Sequence, residues 1–401
     1  MNKKIMALIT AIIMISLTAC AAAPAQAPAP ATAEDTAAAD ASSEAVDESD
    51  IGDTADAADD EDYIDEEDSE PKAEEITPDA DGNLSNGFIT ITMPKDTQGL
   101  YIALATDHSI GIYDKEQRDD GFGGYVFSVQ TYAEPDQYAG GLDIKYGEMT
   151  DQDGQVYDVT VMEATDVQWD YEKYSEMPDS YGKLYGAKEE VVNSLKPVQG
   201  GEYVPGKGTK GEDLYGDVIE QFRTAISEGW DANKLEENDM SSMYYAVTQG
   251  DGNPDAMKIT GYAYKDLNSD GIDELVVGEI AEGDYKGTIY DIYTMIDRKP
   301  AHVVSGYGRS RYYAVPSLIV NEYSDSAAVS GITSFYLTPN STEMIPQIAL
   351  KEDYSEDENA PWYRATDVDK DEWEKVTEDE YNEYLGRINE FIRFDFTPFG
   401  K

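Results

Sequence analysis

Oxygen-bearing side chains fall at alternate positions in one acidic stretch near residue 270. They occupy positions one, three, five and nine of a loop, as Asp266, Asn268, Asp270 and Glu274. Gly271 at position six allows a sharp turn, and Ile272 at position seven supplies a main-chain carbonyl. Calcium prefers about six to eight oxygen ligands, which closely spaced carboxylates and carbonyls provide. The spacing therefore predicts a calcium site formed by Asp266, Asn268, Asp270, Ile272 and Glu274.

The residues around this loop distinguish two kinds of calcium loop. An EF-hand needs a glutamate at position twelve, where this chain has Val277. Apolar and β-branched residues predict strands rather than helices on both sides, at Lys258–Tyr264 and Glu274–Ile280. The loop therefore resembles the strand–loop–strand calcium loops of FG-GAP and integrin-type repeats, with the pattern Asp-x-Asp/Asn-x-Asp-Gly-x-x-Asp/Glu-Leu. That resemblance implies a structural ion, and the single copy argues against a propeller of repeats. An acidic hairpin without metal is the alternative.

Catalytic motifs do not stand out in the sequence. The two histidines, His108 and His302, lie in predicted strands or hairpins without zinc-ligand spacing or a nearby nucleophile signature. Ser-x-x-Lys occurs at Ser69–Lys72 and Ser180–Lys183, without the companion motifs of the serine enzymes that use it. The 83 acidic residues allow many carboxylate pairs, so glycoside hydrolysis stays open without favouring particular residues. We therefore predict no catalytic residue.

The N-terminus predicts export and lipid attachment. Lys3 and Lys4 precede the apolar run Ile5–Ala19, which is shorter than the ~20 residues of a spanning helix and suits a signal peptide. The run ends in Leu17–Cys20, which is similar to a lipobox, and Cys20 is the only cysteine. We expect cleavage after residue 19 and a diacylglyceryl group on Cys20, whose two chains anchor the protein on the outer face of the membrane. A plain secretory peptide is the alternative.

Residues 20–83 predict a disordered acidic tether. Between Ala31 and Ala80 there are 21 acidic residues and one lysine, which supply −20 of the formal charge of −54. Such a segment buries too little apolar surface to offset its ordering entropy, so we expect it to be extended. Residues 81–401 by themselves still carry −36. This charge repels a phosphate backbone and excludes nucleic acid as a partner.

The remaining residues predict an α+β protein with two mainly antiparallel-sheet domains and a few packed helices. Residues 84–196 are the first, a β-rich domain closed by a helix with apolar residues from Tyr181 to Leu195. A Gly/Pro-rich linker follows at 197–211. Residues 212–401 are the second domain, which begins with an amphipathic helix and ends with a helix opened by the capping box Thr377–Glu380.

These features together resemble a group of uncharacterised surface lipoproteins of Gram-positive bacteria. The lipobox, the tether, the Asp119–Gly124 segment and the Asp266–Leu275 loop carry the resemblance, which implies no particular activity. We expect a non-enzymatic module on the outer face of the cell membrane, which binds an extracellular protein or glycan and is stabilised by calcium. One alternative is a carboxylate-dependent hydrolase of cell-wall or environmental polymer. Another is a solute receptor, which would need two α/β lobes.

Overall fold

The computed structural model describes residues 73–138, 141–242, 256–281, 286–368 and 371–400. Contacts group Pro71–Lys401 into one unit. The predicted signal peptide, Cys20 and most of the predicted tether lie outside the described residues. Among the described residues, no helix has both the length and the apolar character needed to cross a membrane. The chain folds mostly as antiparallel sheet with few helices, which confirms the predicted α+β class.

Ten strands make up the N-terminal half of the described fold. They are β1 (Glu74–Ile76), β2 (Asn83–Ser85), β3 (Ile89–Thr92), β4 (Tyr101–Thr106), β5 (Ser109–Asp114), β6 (Tyr125–Tyr132), β7 (Asp143–Asp151), β8 (Val156–Glu163), β9 (Lys196–Pro197) and β10 (Gly201–Pro205). Seven of them form one antiparallel sheet in the spatial order β1-β4-β5-β6-β8-β7-β10, and β2, β3 and β9 form a small sheet. Alternate residues are buried, as at Tyr101, Ala103 and Ala105 in β4. Because every second residue points to the same face, one face of each strand contributes to a shared apolar core.

Short helices cover this first core. They are α1 (Lys115–Asp119), α2 (Asp179–Gly186) and α3 (Lys188–Asn193), with 3-10 turns at Lys95–Thr97 and Pro135–Gln137. The predicted closing helix corresponds to α2 and α3 together, because the helix is interrupted at Ala187. The apolar residues that these two helices bury are Tyr181, Leu184, Val191 and Val192. The predicted apolar face is therefore confirmed, although it is divided between two helices.

Two boundaries predicted from composition differ in the structure. Glu74–Ile76, within the predicted tether, pairs with β4 as an edge strand, and Ile76 packs on the first core. Gly201–Pro205, within the predicted linker, pairs with β7 along its whole length. Glycine is required at position 201, since a Cβ there would collide with the carbonyl oxygen of Thr150. Main-chain pairing thus outweighs Gly/Pro composition in this stretch, and the division into two domains stays a prediction.

Eleven further strands make up the C-terminal half of the described fold. They are β11 (Thr260–Lys265), β12 (Glu274–Glu279), β13 (Ile289–Ile296), β14 (Lys299–Ser305), β15 (Ser310–Val315), β16 (Leu318–Ser324), β17 (Val329–Leu337), β18 (Met344–Asp353), β19 (Trp362–Asp367), β20 (Glu372–Lys375) and β21 (Thr397–Pro398). They form one antiparallel sheet in the order β20-β19-β18-β17-β16-β15-β13-β12-β11-β21, with β14 paired to β13. Leu275 and Val277 face one apolar cluster and Val276 faces another. Both faces of β12 are covered, which explains its continuous apolar run.

The helices of the C-terminal half pack mainly on this sheet. They are α4 (Gly211–Leu214), α5 (Gly216–Glu228), α6 (Ala232–Glu236), α7 (Ala256–Ile259) and α8 (Glu378–Ile388). The predicted amphipathic helix is confirmed as α5, whose buried Phe222 lies in the same cluster as residues of β12 and β13. The predicted capping box opens α8, since the Thr377 N–H donates to the Glu380 carboxylate (2.9 Å) and the Glu380 N–H donates to the Thr377 hydroxyl (3.3 Å).

Candidate metal site

A short hairpin loop carries the residues predicted to bind calcium. It joins β11 to β12, which pair antiparallel from Lys265 opposite Glu274, so the loop has strands on both sides as predicted. Ser269 and Gly271 adopt left-handed backbone conformations, with φ of 67° and 87°. A Cβ at position 271 would collide with the carbonyl oxygen of Lys145 in β7. Glycine is therefore required here both by the turn and by the close approach of the first sheet.

The carboxylates of two predicted ligands hold the loop backbone. The Asp266 carboxylate accepts hydrogen bonds from the N–H groups of Ser269 (2.6 Å) and Gly271 (3.1 Å). The Asp270 carboxylate accepts a hydrogen bond from the Ile272 N–H (2.8 Å). Such bonds satisfy backbone groups that a tight turn leaves without partners. The alternating acidic pattern therefore determines the shape of the turn, whatever ion is present.

Asn268 and Glu274 complete the group from buried positions. The Asn268 amide donates to the Asp270 carboxylate (3.3 Å), and its oxygen accepts from the Asp270 N–H (3.2 Å). Glu274 has no exposed surface, and it accepts hydrogen bonds from the Leu267 N–H (2.7 Å) and the Thr294 hydroxyl (3.0 Å). The structure thus brings the four predicted side-chain ligands into one hairpin, with Ile272 adjoining them.

The charge of Lys145 partly offsets that of Asp270, but no cation forms a close ion pair with this hairpin in the described part of the chain. None of the ion pairs within 4.0 Å among the described residues involves Asp266, Asp270 or Glu274. Burial raises the pKa of Asp270 to about 7, and the nearby charge of Asp266 adds to this rise. Burial also raises the pKa of Glu274 well above its ordinary value, with the charge of Asp270 contributing. The folded hairpin therefore favours the binding of a cation or of protons.

A buried ionic network lies directly behind the loop. The Lys145 N–H donates to the carbonyl of Asp270 (2.7 Å). The Lys145 ammonium pairs with Asp158 (2.8 Å) and Glu148 (3.3 Å), and Arg298 pairs with Asp158 (3.2 Å). The Asp266–Glu274 loop is thereby joined to β7 and β8 of the first sheet.

The loop and this network together carry surplus negative charge. The third cation of the network is Lys207, whose ammonium lies 3.3 Å from the Glu148 carboxylate. The group then holds three cations, Lys145, Lys207 and Arg298, and six carboxylates, those of Glu148, Asp158, Asp266, Asp270, Asp273 and Glu274. If all are ionised, three negative charges remain without compensation. A divalent cation would offset two of them.

A buried hydroxyl beside the loop also lacks a partner. The Tyr215 hydroxyl is fully buried and makes no hydrogen bond to the described residues. Burial raises the pKa of Tyr215, and the charges of Glu274, Asp270 and Asp273 add to the rise. An unsatisfied buried hydroxyl costs about 1–3 kcal/mol. The surroundings of the loop thus contain an unpaired polar group as well as unbalanced charge.

The donor types and the charge of this hairpin fit calcium, although the side chains do not converge on one point. In the described part of the chain, no three His, Cys, Asp or Glu side chains lie close enough together to hold a metal ion. The carboxylates instead accept hydrogen bonds within and beside the loop. An all-oxygen donor set suits calcium or magnesium rather than the softer metals. Asp266, Asn268, Asp270 and Glu274, with the Ile272 carbonyl, are the groups that would hold the ion.

Sequence reasoning missed a second polar cluster, around Asp291. The Nε2 atom of His302 lies 3.0 Å from the Ser305 hydroxyl and 3.4 Å from the buried Asp291 carboxylate. Asp291 stands opposite Ser305 in the β13–β14 pair and also accepts from the Ser241 N–H. A serine triad places serine and aspartate at different ring nitrogens, whereas both meet Nε2 here. We interpret the cluster as a structural network, which only the register of β13 and β14 could have revealed.

Comparisons with protein-family models, with curated protein sequences and with solved structures find no match for this chain. Its function is therefore inferred from the chemistry of its own residues. The likeness of the hairpin to FG-GAP calcium loops stays an expectation that rests on Asp266–Leu275 alone.

Proposed function

We propose that this chain is a lipid-anchored protein on the outer face of the cell membrane, whose folded part is a calcium-stabilised binding module. The observation that carries the calcium assignment is the group of three carboxylates, Asp266, Asp270 and Glu274, which form no ion pair within 4.0 Å among the described residues and two of which are buried. Their burial makes ionisation costly, and a divalent ion offsets that cost. The ion acts structurally in this proposal.

Calcium in this hairpin would stabilise more than the hairpin itself. Besides its contact with β7, the loop meets the segment before α4, where the Asp273 N–H donates to the Thr209 carbonyl (2.9 Å). It also meets the turn between β15 and β16, where the hydroxyls of Ser269 and Ser317 lie 3.0 Å apart. Because these segments belong to distant parts of the chain, neutralising the loop would strengthen their packing together.

The binding role rests on exposed aromatic side chains and on charge. Tyr171, Tyr307 and Tyr354 expose 70%, 56% and 45% of their surface. Tyrosine combines an apolar ring with a polar tip and is common at wet recognition surfaces. The charge of −36 on residues 81–401 disfavours anionic partners. An extracellular protein or an uncharged glycan is therefore the proposed class of ligand.

Calorimetric titration of the full chain with calcium tests this assignment at about pH 7.5, where a site of this class has a Kd of about 10⁻⁴–10⁻³ M. The Asp270→Asn variant should lose that site. The Asp151→Asn variant should keep it, because the Asp151 carboxylate accepts from the N–H groups of Asp153 and Gln155 at the exposed β7–β8 turn, away from the proposed ligands. Both variants retain the acidic tether, so nonspecific binding there is the same in both. Identical titrations of the two variants would refute the calcium site.

A second candidate function is a carboxylate-dependent hydrolase of cell-wall or environmental polymer. Glu322 in β16 and Glu352 in β18 project from the same face of the sheet, and burial raises the pKa of both. A carboxyl group with a raised pKa is what a general acid in glycoside hydrolysis requires. Both charges also contribute to the raised pKa of Tyr381 in α8. Tyr381 is buried, so the helix packs beside these two carboxylates. If the wild type releases reducing sugar from polysaccharide and the Glu352→Gln variant does not, this candidate is supported. No release by the wild type would refute it.

A further inference from the structure

Three ionisable side chains of the first sheet meet away from water. The side chains of Lys145, Glu148 and Asp158 expose 2%, 11% and 0% of their surface. The Lys145 Nζ atom lies 2.8 Å from Asp158 Oδ1 and 3.3 Å from Glu148 Oε1. None of the three is a predicted calcium ligand. The cluster therefore lies beside the loop without supplying any of its predicted ligands.

Strand pairing builds this cluster. Glu148 stands opposite Asp158 in the β7–β8 pair, and a bulge between Lys145 and Gly147 turns Lys145 toward the same side. The backbone at Gly208 closes the cluster from outside, since a Cβ there would collide with the Glu148 carboxylate and the Lys145 ammonium. The amine and the two carboxyl groups are thus held in contact where water has little access.

The second oxygen of Asp158 is held by two donors. The Tyr138 hydroxyl donates to Oδ2 (3.1 Å), and the Arg298 Nη2 atom lies 3.2 Å from the same oxygen. Donors placed on one oxygen polarise a carboxyl group and stabilise negative charge that develops there. Lys145 (2.8 Å) and the Nε–H of Arg298 (3.3 Å) meet the other oxygen, Oδ1. The carboxyl carbon of Asp158 is therefore presented to a buried amine with its second oxygen already stabilised.

We propose that Lys145 and Asp158 form an intramolecular amide bond in the folded protein, with Glu148 transferring the proton. The first step passes one proton from the Lys145 ammonium to Asp158 Oδ1 across their 2.8 Å contact, which leaves an amine beside a carboxylic acid. The neutral amine is the nucleophile. The fold holds it against its target, which replaces a bimolecular encounter by an oriented intramolecular step.

The reaction conserves atoms and charge. Lys145 Nζ attacks Asp158 Cγ, which forms the C–N bond and places negative charge on Oδ2, beside Tyr138 and Arg298. The Glu148 carboxylate takes a proton from the nitrogen and passes it to the Oδ1 hydroxyl. The Cγ–Oδ1 bond then breaks, one water leaves, and the double bond to Oδ2 forms again. Glu148 is left as it began.

The amide would join β7 to β8 covalently. Cys20 is the only cysteine, so the folded part of one chain has no disulfide available to it. An amide crosslink supplies resistance to unfolding and proteolysis that exported proteins often obtain from disulfides. Amide formation removes one positive and one negative charge, which leaves the surplus charge beside the calcium loop unchanged. The two proposals can therefore fail independently.

Tryptic mapping of the full chain tests the crosslink. An amidated Lys145 resists trypsin, so residues 119–173 should remain one peptide that is lighter by one water than its sequence requires. An unmodified chain gives residues 119–145 and 146–173 as separate peptides. Recovery of only the two separate peptides from folded wild-type protein would overturn the proposal.

Two further observations assign the roles. Glu148→Gln keeps the shape of the side chain but removes the proton carrier, so cleavage after Lys145 should return while circular dichroism still reports a folded protein. The ion pair of Lys188 with Glu163 is the matched control in wild type. It joins a lysine to a carboxylate but has no counterpart of Glu148 among the described residues to transfer the proton. Cleavage after Lys188 should stay complete. A crosslink that persists in Glu148→Gln would overturn the role of Glu148, and if that variant misfolds, the wild-type map still decides whether the amide exists.

Discussion

Replacing Asp270 with asparagine removes one charge from the Asp266–Glu274 hairpin with little change in shape. Burial raises the pKa of Asp270 from 3.8 to about 7, so the folded state holds a proton that the unfolded state releases. The resulting contribution to stability is fully present below the unfolded pKa and is lost as the pH rises through about 7. Without calcium, the wild type above that pH therefore keeps a charged and buried carboxylate. The variant does not, and we expect it to be the more stable protein there.

The size of this effect follows from the pKa shift. One pKa unit corresponds to about 1.4 kcal/mol, so the shift of Asp270 amounts to about 4 kcal/mol at pH values above 7. Asparagine can still accept from the Ile272 N–H, but its amide group faces the donor amide of Asn268. That mismatch costs about 1 kcal/mol. We expect a net stabilisation of about 3 kcal/mol in the calcium-free variant.

Calcium should stabilise the wild type but not the variant. At about 100 times the Kd, which corresponds to about 10 mM calcium for a Kd near 10⁻⁴ M, binding stabilises the folded wild type by about 2.7 kcal/mol. For the unit Pro71–Lys401, roughly 330 residues, the unfolding entropy is about 0.7 kcal/mol per kelvin, which converts this to a rise in Tm of about 4 °C. The variant should show no such rise.

Calorimetric melting with chelator or with calcium, below pH 5 and near pH 8, measures all of these quantities. The wild-type response to calcium should be small on the acidic side, where protons already neutralise Asp270 and Glu274. The Asp151→Asn variant serves as the matched control, and magnesium serves as the control ion. An equal rise in Tm with calcium for wild type and Asp270→Asn, or a calcium-free variant less stable than wild type near pH 8, would refute the reasoning.

Three further predictions address the turn, the anchor and the core. Gly271→Ala should destabilise the protein by about 3 kcal/mol or more in urea denaturation, because the left-handed turn and the Lys145 carbonyl leave no room for a Cβ. Gly216→Ala, with open space around its added Cβ, is the control, and equal stability of both variants would contradict the packing argument. Cys20→Ala should abolish metabolic labelling with palmitate and release the protein from the membrane fraction; retention there would contradict the lipid anchor. Phe222→Ala should lower the free energy of unfolding by about 3–5 kcal/mol, since the ring is fully buried, and a loss below 1 kcal/mol would show that α5 is loosely packed.

Much of the local structure could be predicted because it depends on a few consecutive residues. The capping box at Thr377 and Glu380 forms both of its hydrogen bonds, since the partners are three residues apart on one helix turn. The hairpin at Asp266–Glu274 forms the expected turn, because its aspartates bond backbone N–H groups within the same loop. The period of two along β4 predicts which side chains are buried. In each case the determining contact lies within the pattern itself.

Other features depend on segments that are distant in sequence, and there composition misleads. The Gly/Pro-rich stretch near residue 200 pairs with β7 along Gly201–Pro205, because an edge strand of the first sheet offers it main-chain partners. His302 looks isolated in the sequence, yet the register of β13 and β14 places it beside Ser305 and Asp291. No periodicity within either segment encodes such pairings.

By itself, the sequence determined the acidic balance of the chain, its single cysteine and the order of oxygen donors in the hairpin. Only the tertiary structure decided that Glu274 is fully buried. It also decided that the Lys145 N–H donates to the Asp270 carbonyl and that the Lys145 ammonium pairs with Asp158 and Glu148. The physical reason is that residue type sets the charge a side chain can carry, whereas burial and strand register set what that charge costs and which group lies within reach of it.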